Sequence, residues 1–304
     1  MKLIRDLQST SCFPNGSVVT IGNFDGVHLG HQAVLSQVLK KAEQLALPVV
    51  ILTFEPQPLE YFKGDAAPAR LMRLREKIVA LQEYPVDSLV VLKFNERLAN
   101  LSADDFIQQI LVEQLNVKHL VVGDDFQFGH DRQGDFSLLQ QQDFTVENTH
   151  TVSLDDRRIS SSWVRETLQA GDLAKTAALL DRPFSMMGKV THGHKRGRTI
   201  GIPTANLYTH RAVTPIRGVY AVKVKGLPEG ELMGVANVGT RPTVDEGTRT
   251  LLEIHLFDFD RDIYGEQIAV EFCLKLRDEK RFDDFGELKA QIYQDVDDAK
   301  AFFG

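Results

Sequence analysis

The chain has 304 residues, enough for two hydrophobic cores, since single domains most often run to about 100–150 residues. Its 43% apolar and 25% charged content is ordinary for a globular protein, and the net charge of −7 argues against bulk electrostatic binding of nucleic acid or an anionic membrane while leaving room for a local basic pocket. Cys12 and Cys273 show no pairing pattern, the opening MKLIRDLQST has no apolar signal core, and no apolar run is long enough to span a bilayer, so a soluble cytoplasmic protein with reduced thiols is expected.

In chain order, Ser17 to Ile21 is a short β-prone run. The sequence GNFDGVHLGH follows at 22–31, and Leu29 to Ala46 then places Val34, Leu35, Val38, Ala42 and Leu45 at helical spacing. Pro48 to Phe54, PVVILTF, reads as a second buried strand. The three pieces make one βαβ unit whose first loop falls beyond the carboxyl ends of the strands, where open α/β sheets bind ligands. His28 and His31 then sit at the mouth of a helix, where free backbone N–H groups and the positive dipole end favour phosphate. Two nearby histidines are most often surface or capping residues; strand, glycines, helix and spacing together point instead to a nucleotide site. Zinc is rejected, because no third ligand cluster follows at a spacing that closes a tetrahedron.

Further along come a helix near Arg73 to Glu83, a strand SLVVLKF, a helix through Ala103 to Leu115, a strand HLVVG and the stretch FTVENTHTV. Two helical stretches follow, SSWVRETLQAG and LAKTAALL, with Gly171 as the stop between them. This half should be a parallel sheet with helices on both faces. In Arg158-Ile159-Ser160-Ser161-Ser162-Trp163-Val164-Arg165, serines at a helix start can cap it or present hydroxyls to a phosphate, and Arg165, one turn in, can reach the same anion.

A boundary is expected near Arg182-Pro183, giving domains 1–183 and 184–304. Beyond it the pattern becomes alternating apolar runs between glycine and proline turns: GVYAVKVKG, ELMGVANVG, LLEIHLFDF and QIAVEFCLKL. Such a series suggests an antiparallel barrel, which removes exposed sheet edges by closing. A final helix, Phe285 to Phe303, carries Leu288, Ile292, Val296 and Ala299 on the face that covers it. There is no internal repeat and no Walker sequence. Residues 188–206, GKVTHGHKRGRTIGIPTAN, combine glycines that let backbone N–H groups approach phosphate with Thr204 and Asn206, hard oxygen donors of the kind magnesium accepts. Glu253 shares a strand face with Leu251 and His255, and a carboxylate on the inner or mouth-facing side of a barrel is costly to bury without a task or a partner.

Together, GNFDGVHLGH and RISSSWVR resemble the nucleotidyltransferase superfamily, and in particular the N-terminal module of the bacterial FAD synthetases, bifunctional riboflavin kinases and FMN adenylyltransferases. TFEPQP at Thr53 to Pro58, and GDDFQFG at Gly123 to Gly129 with Arg132 and Gly134 after it, also look like that family. Pro203-Thr204-Ala205-Asn206 resembles the riboflavin kinase signature, as do its neighbours Gly218 to Ala221 and Asn237 to Thr243. The resemblance spans essentially the whole chain. It implies a Rossmann-like nucleotidyltransferase domain followed by an antiparallel β-barrel kinase domain with a terminal helix. Riboflavin, FMN, FAD and ATP are the implied small-molecule partners, with Mg2+ as cofactor and neither nucleic acid nor membrane; a monomer or weak homo-oligomer is expected.

For adenylyl transfer the implied residues are His28 and His31, donating to the phosphates as charge builds on them, with Asn23, Asp125, Arg158, Ser161, Ser162 and Arg165 seating ATP. Phe54, Pro56, Pro58, Phe126 and Phe128 would lie on the flavin side, and Gln57 stands where many relatives have histidine. For the kinase the resemblance implies Glu253 as general base. Gly188, Lys189, His192, Gly193, Arg198, Thr204 and Asn206 would hold ATP, Thr204 and Asn206 would hold the metal, and Arg277 and Phe282 of LRDEKRF would contact flavin. Two other readings remain: an RNA-binding adaptor using HKRGR on a small barrel, against which stand the lack of interleaved aromatics and the negative charge, and a flavin-sensing module without catalysis.

Overall fold

The computed structural model describes every residue except 6, 8–11, 124, 150, 193–201, 212, 243–247 and 283. The chain divides into two compact units, Met1–Pro68 with Met72–Ser161, and Ala69–Leu71 with Ser162–Gly304.

Continuous apolar runs make strands buried on both faces, and that is how the first unit is built. Strands β1 (Lys2–Ile4), β2 (Ser17–Ile21), β3 (Val49–Glu55), β4 (Ser88–Lys93), β5 (Val117–Val122) and β6 (Thr145–Asn148) form a six-stranded sheet in the order β1-β4-β3-β2-β5-β6. Every pairing is parallel. One face packs against α1 (Leu29–Leu45), where Leu35, Val38 and Ala42 meet Val18, Ile51, Leu89 and Val121. Beyond α2 (Pro58–Lys63), α3 (Leu74–Leu81) adds Leu81 to the same core.

The other face takes the helix expected over Ala103 to Leu115, with one difference. After a short α4 (Glu96–Ala99), only α5 (Ala103–Asp105) is α-helical, and Phe106–Gln114 continue as a wider π-helix that buries Phe106, Ile107, Ile110 and Leu111. Leu45, which falls on the apolar spacing of α1, is exposed because the helix ends there and the chain turns at Ala46 in a left-handed conformation. FTVENTHTV is not one strand: β6 is followed by a separate two-stranded piece, β7 (Ser153–Leu154) and β8 (Arg157–Arg158). The strand order reverses direction between β2 and β5, so the crevice for a ligand opens at their carboxyl ends.

In the second unit, α7 (Ser161–Ala170, following the one-turn α6, Phe136–Leu139) and α8 (Leu173–Leu180) lead into a closed antiparallel barrel. Its strands are β9 (Ser185–Thr191), β10 (Ala205–Tyr208), β11 (Gly218–Leu227), β12 (Gly230–Pro242), β13 (Thr248–Leu256) and β14 (Gln267–Arg277), in the order β10-β13-β12-β11-β14-β9. Compactness places α7 and α8 with this unit: Gly171 lies against the Lys275 side chain of β14. Tyr220, Val222, Leu252, Ile254 and Phe272 are buried, and burial pushes the Tyr220 hydroxyl up to about 12 while it donates to the Arg217 carbonyl at 2.8 Å. The terminal helix α9 (Phe285–Phe303) packs Val296 and Ala299 on Val219, Ala221 and Val235, with Leu288 and Ile292 half-buried. It is pinned by Asp295, 4% exposed, which receives Nε and Nη2 of Arg277 at 2.8 and 2.7 Å.

Candidate functional site

The loop between β2 and α1 is built from conformations most residues avoid. Phe24 (φ 46°), Gly26 (φ 93°) and Val27 (φ 42°) all have positive φ, and for a β-branched residue such as Val27 that is a strained backbone. It holds because Phe24 and Val27, each 1% exposed, are locked into the core beneath α1. The strain delivers His28 to the N-cap of α1, where its Nδ1 accepts the His31 N–H at 3.4 Å. A neutral His28 bonded in this way carries its proton on Nε2, which makes that nitrogen a donor. The two imidazoles stack with ring centroids 3.7 Å apart, and Phe24 stands 5.0 Å from His31 on one side. A Cβ on Gly30 would meet the His28 ring at 3.1 Å, so this stacking needs a glycine there.

Around this helix mouth lies a cavity of about 890 Å³. Its polar lining includes Asn23, His28, Gly30, His31, Asp125, Arg158, Ser160 and Ser161, and its apolar lining includes Phe54, Pro58, Phe126 and Phe128. All of these but Gly30 and Ser160 were implied by the sequence, and the fold collects them in one place. Arg158 donates to Asp125 at 3.1 Å. Ser161 donates its hydroxyl proton to the Asp25 carbonyl at 2.8 Å, tying the serine motif to the histidine loop, and the Asp25 carboxylate in turn accepts the Met72 N–H at 2.9 Å. Ser162 and Arg165 belong to the second unit, where Arg165 Nε donates to the Ala69 carbonyl at 2.6 Å. Pro56 does not line the cavity, nor does Gln57, which is 7% exposed beside the N-terminus of α2.

Sequence reasoning missed Thr20, Phe62, Phe94 and Phe106, which also line the cavity. Phe94 makes edge contacts with Phe54 and Phe62 at 5.9 and 5.7 Å. An aromatic standing just past the last residue of a buried strand, as Phe94 does after β4, was the available signal.

On the barrel, strand register sets the arrangement. Asn206 pairs with both Thr191 and Glu253, Glu253 with Asn237, Asn237 with Val219, and Val219 with Arg277, so one row crosses all six strands. Leu252 and Ile254 are buried in the interior, which puts half-buried Glu253 on the outward face with Leu251 and His255. The inner-face placement is thereby corrected: alternation was right about its companions, and the interior belongs to their neighbours. Asn206 is 7% exposed, its carbonyl accepting from Thr191 Oγ1 at 3.3 Å. His255 Nδ1 lies 2.8 Å from the Pro203 carbonyl, holding the chain just before Thr204. Gly188 and Lys189 lie on β9, and the His192 ring meets Tyr264 at 3.9 Å. Gly193, Arg198 and Thr243 lie outside the described residues.

Arg277 does not stand ready for a ligand. Its Nε and Nη2 hold Asp295 and its Nη1 donates to the Asp278 carbonyl at 3.0 Å, so a direct flavin contact gives way to a structural task. Its guanidinium lies 5.8 Å from the Phe282 ring.

Among the described residues no group of three or more His, Cys, Asp or Glu side chains could cage a metal. The hydroxyl of Thr204 and the amide oxygen of Asn206 suit a cation held mainly by phosphates and water, which is how magnesium is usually bound. No described helix is long and apolar enough to cross a membrane.

The FAD synthetase family model matches residues 11–163, and the riboflavin kinase family model matches residues 180–303. A bifunctional riboflavin kinase/FMN adenylyltransferase of Haemophilus influenzae is 53% identical over 100% of this chain and 99% of its own length. That of Escherichia coli K12 is 50% identical over 100% and 98%. A crystal structure described as a macrolide-efflux protein from Streptococcus pneumoniae superimposes with a TM-score of 0.83 at 32% identity, covering 97% of each chain.

Proposed function

Because the chain belongs to the bifunctional riboflavin kinase/FMN adenylyltransferase family, we propose where each of the two reactions takes place and which residues carry it. The protein phosphorylates riboflavin with ATP to FMN, and adenylylates FMN with ATP to FAD and pyrophosphate. Adenylyl transfer is assigned to residues 1–183 and riboflavin phosphorylation to residues 184–304.

The observation that carries the first assignment is the stacked His28–His31 pair at the mouth of α1, lining a cavity that is polar there and aromatic elsewhere. In this reaction an FMN phosphate oxygen attacks the α-phosphorus of ATP and pyrophosphate leaves, so the protein's contribution is positioning and charge neutralisation. His28 Nε2–H and His31 donate to the phosphate oxygens as negative charge grows, assisted by Asn23 and the N–H groups of the helix start. Arg158 exchanges Asp125 for a phosphate, and Asp125 then faces the nucleotide. Phe54, Pro58, Phe126 and Phe128 hold the isoalloxazine ring by apolar and stacking contact. Ser161 acts through the Asp25 carbonyl by fixing the histidine loop. Ser162 and Arg165 remain the proposed triphosphate contacts of α7.

In the barrel, Glu253 accepts the proton of the ribityl 5′-hydroxyl as that oxygen attacks the γ-phosphorus of ATP. Asn206 and Thr204 would hold magnesium, whose charge offsets that of the triphosphate. Gly188, Lys189, His192, Gly193 and Arg198 form the proposed ATP-binding stretch, and Phe282 the flavin contact of the segment after β14. The protein works in the cytoplasm with reduced thiols, as a monomer or weak homo-oligomer, without nucleic acid.

Chromatography of the products tests the division. Glu253→Gln should abolish FMN formation from riboflavin while FMN supplied from outside is still converted to FAD. His28→Ala with His31→Ala should stop at FMN. Loss of both activities in either folded variant overturns the assignment.

A further inference from the structure

Strand β2 reads Ser-Val-Val-Thr-Ile, all of it buried, and its fourth residue is the odd one. Thr20 is 1% exposed, and its hydroxyl oxygen is buried with no hydrogen-bond partner among the described residues. Its sheet neighbours cannot satisfy it through their side chains, since it pairs with Ile51 on β3 and Val121 on β5. A buried hydroxyl left unbonded destabilises a fold, and valine, of the same shape, would fill this place without that cost. Strand alternation puts Thr20 on the face of Val18, beneath α1, and it lines the same cavity as His28, Gly30 and His31. Asn23 Oδ1, in the same lining, is also buried without a partner among the described residues.

We propose that Thr20 is a substrate-binding residue of adenylyl transfer, its hydroxyl donating a hydrogen bond to a phosphate oxygen of ATP or of FMN. The proposal rests on the reading of this cavity as the adenylyl-transfer site. The switch point between β2 and β5 is where an α/β sheet presents its floor to a ligand, and a phosphate drawn to the helix mouth supplies the acceptor the hydroxyl lacks. A threonine kept in a valine strand is then a binding feature carried at some expense to stability.

Steady-state kinetics of FMN to FAD conversion by Thr20→Val and Thr20→Ser, with thermal unfolding of each, test this. Thr20→Val should raise a KM by about tenfold, the loss of one charge-assisted hydrogen bond, while its Tm stays level or rises. A rise in the KM for ATP identifies the phosphate as ATP's, and a rise in the KM for FMN identifies it as FMN's. Thr20→Ser keeps the hydroxyl and should keep both KM values within about twofold, yet unfold at a lower temperature because a buried methyl is gone. Activity and stability thus move in opposite orders, and riboflavin phosphorylation reports that each variant is folded. Unchanged KM values in Thr20→Val, or activity that follows Tm across the two variants, overturn the proposal. The paired His28→Ala, His31→Ala variant separates the two failures. If it too makes FAD normally, the site reading is wrong; if it is dead while Thr20→Val is unaffected, only the role of Thr20 is lost.

Discussion

The histidine loop of the sheet unit and the strand row of the barrel solve one problem, aiming polar groups at a triphosphate, by different physical means. The loop spends conformational strain: three residues at positive φ are held only because Phe24 and Val27 are buried under α1. The row uses register: Asn206, Glu253 and Asn237 come together because paired strands place every second side chain on one face. A site of the first kind is sensitive to what locks its loop, and a site of the second kind to the side chains themselves.

That contrast is open to mutation. Asp25→Ala removes the acceptor of the Met72 N–H and loosens the loop without touching the histidines; FAD formation from FMN should fall by about a hundredfold, with riboflavin phosphorylation unchanged. Asn206→Ala should give the mirror result in coupled assays, FMN formation falling by about fiftyfold while the adenylyl step persists. A milder insult is Gly30→Ala, whose Cβ crowds the His28 ring at 3.1 Å; about a tenfold loss in kcat of the adenylyl step is expected. If Asp25→Ala were harmless, the loop would not depend on its lock and the contrast would fail.

Stability offers weaker tests. Asp295→Ala strands the Arg277 guanidinium at the edge of the barrel core and should cost about 3 kcal/mol in urea unfolding of the second unit. In the first unit, His119 is fully buried between β2 and β6, with Thr145 Oγ1 at 2.5 Å and the Glu147 carboxylate at 3.5 Å. Burial holds its imidazole below the usual histidine value of 6.5, against the pull of Glu147 and together with the push of Lys41. The unfolded chain therefore takes up this proton first, and stability should decline as pH falls below 6.5. Glu147 is held below the usual carboxylate value, chiefly by its Gln37 hydrogen bond, so its contribution is lost only at lower pH. Denaturant midpoints at about pH 7.5 and about pH 5.5 check this, and His119→Gln should flatten the difference.

What the sequence disclosed follows the same division. Apolar runs announced the parallel strands, and alternation announced the barrel, because each pattern reports which faces are buried. The histidine spacing was legible because a glycine turn before a helix is local. Arg277 was misjudged because its partner Asp295 is on another element, where local spacing says nothing. Glu253 was placed among the right companions but facing inward, since alternation assigns faces without saying which one is the core. The π-helix at Phe106–Gln114 left no trace in the apolar pattern, whose buried positions suit an α-helix nearly as well. Thr20 looked like an ordinary strand residue, and only the missing partner of its hydroxyl singled it out.

The central claim is that two independent sites share one chain, and complementation tests it most directly. Glu253→Gln and the paired His28→Ala, His31→Ala variant are each incubated with riboflavin, ATP and magnesium, then mixed, and FAD is followed by chromatography. Neither alone should make FAD, and the mixture should make it as FMN released by one variant is consumed by the other. A mixture as inert as its components would contradict the account.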